Sequence, residues 1–320
     1  MSSPAPTRSK GAFAARVLAN RSLGLDHYRL RLGVAGFPRS QPGQFINVRC
    51  GVAGQEGPQP LEWPEGGLPR PTGPELAGVQ PLLRRPFSLA GRVDKDDGTV
   101  ELDIIHHVVG VGTARLAELG VGAEVSVIGP LGRGFTVVAD RPVAALVGGG
   151  VGVPPLLYLA ETLQDAGVRA VAFAGARTAR ALPLRIDPSE PPSQAGWPTL
   201  CTAEFAARHT PTVVATDDGS LGVTGFVDKA LLPWLDSPNV RAGEVAVYAC
   251  GPAPMIKAVA DIAAARAMPC QLALERHMAC GMGTCQGCAV KVKAAGDTGW
   301  AFQLVCKDGP VFDANDLYWE

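Results

Sequence analysis

Charge of one sign is missing. Across 320 residues, 29 Lys and Arg stand against 30 Asp and Glu, for a net charge of -1. A surface built to hold a phosphate backbone or an anionic lipid sheet needs a cationic excess, so nucleic acid is excluded as a main partner. No export leader is expected, because the opening MSSPAPTRSKGAFAARV has no apolar core of signal-peptide length, and the cytoplasm is the expected compartment. Cys50, Cys201, Cys250, Cys270, Cys280, Cys285, Cys288 and Cys306 therefore read as ligands or buried thiols in a reducing compartment, not as a disulfide framework. A membrane span is not expected either. The chargeless stretch VAALVGGGVGVPPLLYLA at 143–160 is interrupted by glycines and a Pro-Pro pair, which suit a strand, a turn and a helix start better than a span.

What is present is enough apolar material, 47% of residues, for a large core divided among two or three domains. No internal repeat is visible. Residues 10–140 contain the short, partly alternating segments HYRLRLGV, GQFINVRC, RRPFSLAGRV, TVELDIIHHV and AEVSVIGPLG, and predict an antiparallel β-barrel. Residues 51–80 are rich in Gly and Pro without a period and form a surface excursion expected to carry no chemistry. Over 141–269 the apolar segments VAALVGG, VRAVAFAGA, PTVVAT and EVAVYACG alternate with helical patterns, the mark of a doubly wound parallel sheet. Residues 270–320 show neither rhythm and are expected to form a small third domain organised by its cysteines.

Cys280, Cys285 and Cys288 follow C-x4-C-x2-C, and Cys306 supplies a distant fourth sulfur. That is the spacing of plant-type 2Fe-2S clusters. Gly281, Gly283 and Gly287 are expected to provide the unusual φ values and close approach that a loop wrapped around a cluster needs. Structural zinc and free thiols are the competing readings, although zinc ligands usually arrive as two short pairs on separate knuckles.

Other candidate sites lie in turns. Gly149, Gly150 and Gly152 follow the first strand of the α/β half and open a helix, where N–H groups and a positive dipole end suit a dinucleotide pyrophosphate. A tight strand-to-helix connection is the plainer reading. Cys250, Gly251 and Pro252, in ACGPAPM, end a later strand of that sheet, and the Cys250 thiol is the candidate neighbour of a nicotinamide ring. In the barrel half, Arg85 of RRPFS is a candidate phosphate clamp and Ser88 a contact to a ring edge, while Gly110, Gly112 and Thr113 form a turn with N–H donors. Taken singly, these are also a surface arginine, a strand serine and a helix cap. His106 and His107 read as satisfied strand histidines offering backbone contact only.

Together, LRRPFSLAG, VIGPLGRGF, LVGGGVGVPPLLYLA, TDDGSLGVTGFV, ACGPAPM, LERHMACGMGTCQGCAVKV and VCKDGPVF resemble the ferredoxin-NADP reductase superfamily. Within it they resemble the electron-transfer subunits of B-type dihydroorotate dehydrogenase, over Arg16 to Phe312. The resemblance implies FAD on the barrel, with contacts at Arg85, Pro86, Phe87 and Ser88 and a pyrophosphate turn at Gly110, Gly112 and Thr113. It also implies NAD on the α/β half and a 2Fe-2S cluster on Cys280, Cys285, Cys288 and Cys306. The implied partner is a separate FMN-containing subunit that oxidises dihydroorotate in pyrimidine biosynthesis, in an assembly with two copies of each chain. The chain departs from the family at 51–80 and in IDPSEPPSQAGWP at 186–198. Two alternatives remain: a related flavin/iron-sulfur NAD(P)H reductase subunit, of the NADPH-ferredoxin oxidoreductase or sulfide dehydrogenase type, and a redox sensor without turnover.

Asp217 and Asp218 end the segment VVATDD. In the superfamily this position borders the adenosine ribose, where an acid suits a 2'-hydroxyl and repels a 2'-phosphate; a simple Asp-Asp-Gly turn is the alternative. Preference for NAD(H) over NADP(H) is expected, and Asp218→Arg should weaken or reverse it. Initial rates of flavin reduction by the two nicotinamides at low concentration measure this, and equal rates in the unaltered chain would remove the argument.

Overall fold

The computed structural model describes residues 10–50, 61–62, 70–71 and 83–319, so most of the 51–80 excursion lies outside the described residues. The N-terminal half contains β1 (Gly11–Gly24), β2 (His27–Ala35), β3 (Phe45–Val48), the short pair β4 (Leu61–Glu62) and β5 (Arg70–Pro71), β6 (Arg85–Ser88), β7 (Gly91–Asp94), β8 (Thr99–His107), α1 (Val111–Ala117) and β9 (Glu124–Leu131). Seven of these strands form one antiparallel sheet in the order β6-β3-β9-β1-β2-β8-β7. The sheet curls on itself. Beyond β6, Leu89 N–H donates to Gln44 O (3.1 Å) and Ala90 N–H to Asp103 O on β8 (2.8 Å), which draws the two ends of the sheet together.

The sequence reading begins its strands at His27 and misses β1. GAFAARVLANRSLG holds four Ala, two Gly and one Asn, residues depleted in strands, and its register shifts at Val17/Ala19 and Ser22/Gly24. Pairing with β2 on one edge and β9 on the other overrides that local preference.

The C-terminal half contains β10 (Val143–Gly149), α2 (Pro154–Asp165), β11 (Arg169–Ala176), α3 (Ala203–Ala206), β12 (Thr212–Thr216), β13 (Val223–Thr224), α4 (Asp228–Leu235), β14 (Val245–Cys250), α5 (Ala253–Ala265), β15 (Cys270–Ala273), β16 (Ala289–Lys293), β17 (Trp300–Leu304) and β18 (Val311–Asp313). A second sheet runs β13-β12-β11-β10-β14-β15-β18, parallel except for β18, which pairs antiparallel to β15. β10 to β12 and β14 carry near-continuous buried apolar runs, as strands covered on both faces do. Among the described residues, no helix is long and apolar enough to cross a membrane.

The segment from 270 onward thus begins and ends on strands of the parallel sheet, with the hairpin β16–β17 and the cysteine loop between them. At four and three residues, β15 and β18 are too short for periodicity to register.

The two halves are tied by buried polar contacts. Tyr248 Oη accepts from Val138 N–H (3.1 Å) and donates to Thr136 O (3.2 Å), and Tyr158 Oη donates to Ser40 O (2.8 Å). Arg133 N–H donates to Gly309 O (2.5 Å). Gly132, at φ +75°, makes that approach possible, because a Cβ there would stand 2.7 Å from Gly309 O and 3.0 Å from Phe45. Gly98 has a similar φ of +80° with nothing within 4 Å of a Cβ. Gly98→Ala should therefore cost only the backbone strain, about 1 kcal/mol, whereas Gly132→Ala adds a clash and should cost clearly more. Urea midpoints of the two variants check this; equal shifts would mean that the Gly132 contact imposes no constraint.

Candidate functional site

The cysteine loop rests on the outer face of β3. That strand is buried on both sides: Ile46 and Val48 belong to the barrel core, while Phe45 packs in the same cluster as Cys288, Val305 and Cys306. Next to Phe45 on that outer face, Asn47 Nδ2 donates to Cys280 O (2.9 Å).

Within the loop, two of the sulfurs accept backbone N–H groups. Cys280 Sγ accepts from Met282 N–H and Cys285 N–H, both at 3.4 Å, and Cys288 Sγ accepts from Cys306 N–H at 3.4 Å. Among the described residues, no three Cys, His, Asp or Glu side chains are grouped as ligands of one ion. Three cysteines in one loop with a distant fourth, and sulfurs that accept backbone N–H groups, fit a 2Fe-2S centre better than the two short ligand pairs usual for zinc. The N–H of Cys285, then that of Met282, draws the Cys280 thiol down to about 6. Burial, then the adjacent Cys288, pushes Cys306 up to about 12.

Gly281 (φ +67°) and Gly283 (φ +89°) take the backbone the loop requires, and a Cβ at Gly281 would collide with Asn47. Gly287 departs from expectation. It is Gln286 that turns at φ +58°, while a Cβ at Gly287 would meet Cys285 Sγ at 3.7 Å, an ordinary contact, so neither φ nor close approach requires a glycine there. Cys285 is exposed, and Met282 (51% exposed) and Phe302 (63%) add apolar surface in the same small unit.

On the barrel side, Arg85 to Ser88 are β6 itself, with Pro86 opposite Asn47 and Ser88 opposite Phe45. The structure brings Arg85 to the Gly110–Thr113 turn: a Cβ at Gly112 would stand 3.3 Å from Arg85 Nε and 3.5 Å from Cys50 Sγ. The Thr113 hydroxyl is used within that turn, accepting from Val109 N–H (2.9 Å) and donating to Gly110 O (3.0 Å). His106 overturns its expected satisfied state. It is 2% exposed, neither ring nitrogen has a partner, and its ring lies 5.8 Å from Phe87 and 5.8 Å from Tyr28. Burial, then His27 and His107, lowers its pKa to about 4, so the ring is neutral at pH 7. Buried orphaned nitrogens beside β6 are what a polar cofactor edge would satisfy.

At the carboxyl edge of the parallel sheet, the glycines divide their work. Gly150 (φ +53°) has nothing within 4 Å of a Cβ, whereas one at Gly149 would stand 2.6 Å from Met255 Sδ and one at Gly152 would collide with the Cys250 carbonyl. Gly149 and Gly152 serve to pack this turn against Cys250-Gly251-Pro252. Pro154 and Pro155 occupy the first turn of α2 and carry no N–H, and Val153 N–H donates to Gly150 O (3.1 Å), so donors toward a pyrophosphate must come from Gly150 to Gly152 and not from the helix. Cys250 is 4% exposed, and burial, then Glu275, holds its thiol well above the usual range. Glu275 is a site residue the sequence reading missed; it is exposed and lines a cleft with Gly251. It lies just past β15, and the signal for it is visible only once β15 is recognised as a strand of this sheet. Asp218 accepts from Ser220 N–H (3.0 Å) and Ser220 Oγ (2.6 Å), so its carboxylate shapes the turn, while Asp217 is exposed and is the cleaner position at which to alter nucleotide choice.

Two family profiles match the chain: the iron-sulfur cluster binding domain of dihydroorotate dehydrogenase B at residues 275–318, and the oxidoreductase NAD-binding domain at 146–261. The chain is 31% identical over 309 residues to the electron transfer subunit of dihydroorotate dehydrogenase B (NAD(+)) from Desulforamulus reducens, covering 96% of this chain and 98% of that protein. It is 36% identical over 307 residues to the subunit of the same name from Enterococcus faecalis, covering 94% and 96%. Among solved structures, a chain of NADH-dependent reduced ferredoxin-NADP oxidoreductase superposes with a TM-score of 0.68 at 23% identity, covering 95% of this chain and 90% of that one. A cytochrome P450 reductase from Amycolatopsis gives 0.55 at 23% identity, covering 81% and 67%. These likenesses establish the shared fold.

The state of His106 generates a pH prediction. Its folded pKa of about 4 lies below the unfolded value near 6.5, so the unfolded chain binds the extra proton between those two pH values. Its contribution to stability is complete above pH 6.5 and is lost as pH falls toward 4, by at most about 3 kcal/mol. Urea midpoints at pH 7 and 5 should differ less in His106→Leu than in the unaltered chain. An equal acid sensitivity of the two would show that His106 is not the titrating group.

Proposed function

The chain belongs to the electron-transfer subunits of NAD-dependent dihydroorotate dehydrogenase B, and from that membership we propose that it carries electrons between NAD and a separate FMN-bearing subunit that oxidises dihydroorotate. In this reading it acts in the cytoplasm, in an assembly of two copies of each chain, and serves pyrimidine synthesis. The observation that carries the reading is that three candidate sites adjoin: the Gly150–Gly152 turn meets β8, which carries His106, His106 lies against Phe87 of β6, and β3, paired with β6, holds the loop of the four cysteines through Asn47 and Cys280.

Each set of residues has a physical task. The Gly150–Gly152 turn offers N–H groups to the dinucleotide diphosphate, and Gly251 and Pro252 keep the adjoining turn close. Cys250 presents a neutral thiol beside the nicotinamide position, with Glu275 next to it. Asp217 and Asp218 both stand at the surface for a ribose hydroxyl, and Asp217 has its carboxylate outside the Ser220 turn. On the barrel, β6 lays Arg85, Pro86, Phe87 and Ser88 along the flavin, Arg85 and the Gly110, Gly112 and Thr113 turn serve its diphosphate, and neutral His106 supplies a ring nitrogen to its polar edge. Cys280, Cys285, Cys288 and Cys306 would hold the two irons of the cluster. FAD, when bound, accepts a pair of electrons as hydride and releases them singly to a 2Fe-2S cluster, which takes one at a time. The exposed Cys285, with Met282 and Phe302 nearby, supports an exit through a protein interface.

The isolated chain should reduce artificial acceptors with NADH but form no NADH from dihydroorotate until the FMN-bearing subunit is added. Cys285→Ser should remove the cluster signal, spare most of the FAD and suppress the reconstituted activity. Dihydroorotate-dependent NADH formation, measured with each subunit alone and with both, together with iron, sulfide and flavin analysis, decides the matter. Stoichiometric zinc, full activity from this chain alone, or undiminished activity of the Cys285→Ser mixture would overturn the proposed path.

A further inference from the structure

Asn47 is a polar residue in a place that apolar side chains normally occupy. It is 1% exposed, in the middle of a four-residue strand whose every position is buried. Burying an amide without partners is costly, and here only half of the cost is met. Nδ2 donates to Cys280 O (2.9 Å), while Oδ1 is buried without a partner. The backbone around it is held as well: Arg84 Nη1 donates to Asn47 O (3.4 Å) and to Ser126 O (2.8 Å), and Arg84 Nη2 donates to Ser126 Oγ (2.8 Å). On one side Asn47 is paired with Pro86 of β6 and on the other with Ile128 of β9. Across the interface the loop has made room, since any side chain at Gly281 would run into the Asn47 amide.

The residue thus touches two of the three candidate sites. Its backbone is one strand from β6, and its side chain grips the carbonyl of the first cluster cysteine. We propose that Asn47 is a positioning residue for electron transfer: by locking Cys280 onto β3, it fixes the separation between flavin and cluster. The inference rests on the functional reading above. NADH is oxidised to NAD+ by delivering hydride to the flavin; one electron of that pair moves to the oxidised cluster, the other follows after the cluster has passed its own to a one-electron acceptor such as ferricyanide, two of which are reduced in all, and the proton of the hydride is released to solvent. Single-electron transfer weakens steeply with distance, whereas hydride delivery takes place at the nicotinamide edge and does not involve Asn47.

The test uses the full chain with its cofactors and two variants that cannot donate to Cys280 O, Asn47→Leu, of similar size, and Asn47→Ala. Stopped-flow absorbance with excess NADH follows flavin reduction, and rapid-freeze paramagnetic resonance follows the reduced cluster. Amide hydrogen exchange over Cys280–Gly283 reports whether the loop has loosened. The expected result is flavin reduction within about twofold of the unaltered chain, cluster reduction slower by about tenfold, the scale on which small misplacements act, and faster exchange in the loop, with iron content unchanged. Should both variants misfold, Asn47→Ser, which adds neither charge nor bulk, carries the decision by the same measurements. Cluster reduction at the original rate, an equal slowing of both steps, or loss of iron with FAD retained would overturn the positioning role. An unaltered chain without flavin or iron would overturn the functional reading as well.

Discussion

The structure depends on a strand of four residues that has no solvent side. β3 gives Ile46 and Val48 to the barrel core and Phe45 and Asn47 to the opposite face, so it is at once a barrel stave and the floor beneath the cysteine loop. A strand used in this way cannot slip by one residue, because the slip would put Asn47 into the barrel interior and Ile46 against the cysteines. The register of β3 against β6 and β9 therefore fixes more than a sheet. It also sets where the cysteine loop stands relative to β6.

The same economy governs the α/β half. The turn after β10 and the turn after β14 are packed so tightly that Gly152 lies against the Cys250 carbonyl, and register pairs Gly148 with Cys250. Two loops that would each be mobile alone become one edge. Polar ties from Tyr248 and Gln271 to Thr136 and Val138 fasten that edge to the segment leading out of the barrel, so the two halves present their facing surfaces in a fixed relation.

Much of this was legible in the sequence, for reasons that differ by region. The strands β10 to β12 and β14 are apolar runs with glycine stops, and the cysteine spacing is a chemical signature that needs no structure to read. The motif RRPFS and the Gly110–Thr113 turn were each ambiguous; what the sequence could not convey is that Arg85 lies against Gly112. Three features were hidden. β1 has the composition of a loop and is a strand only because it has neighbours on both edges. His106 looks like any strand histidine, and its orphaned nitrogens appear only when the packing around it is known. Asn47 is one letter between Ile46 and Val48, and nothing local distinguishes it from a tolerated polar residue at an edge.

The short ladder between β15 and β18 has a further consequence. Ala273 and Val311 are direct partners in that ladder, so the chain leaves the parallel sheet and returns to it at points about 5 Å apart. Everything from 274 to 310, cysteines included, is an excursion from one rung of the ladder. Such a segment behaves as a cassette: it can be lengthened, exchanged or deleted in the course of descent without rerouting the chain through the sheet beneath it. A fold with this ladder can acquire or lose its metal centre in a single insertion or deletion event while the six parallel strands of the sheet keep their order.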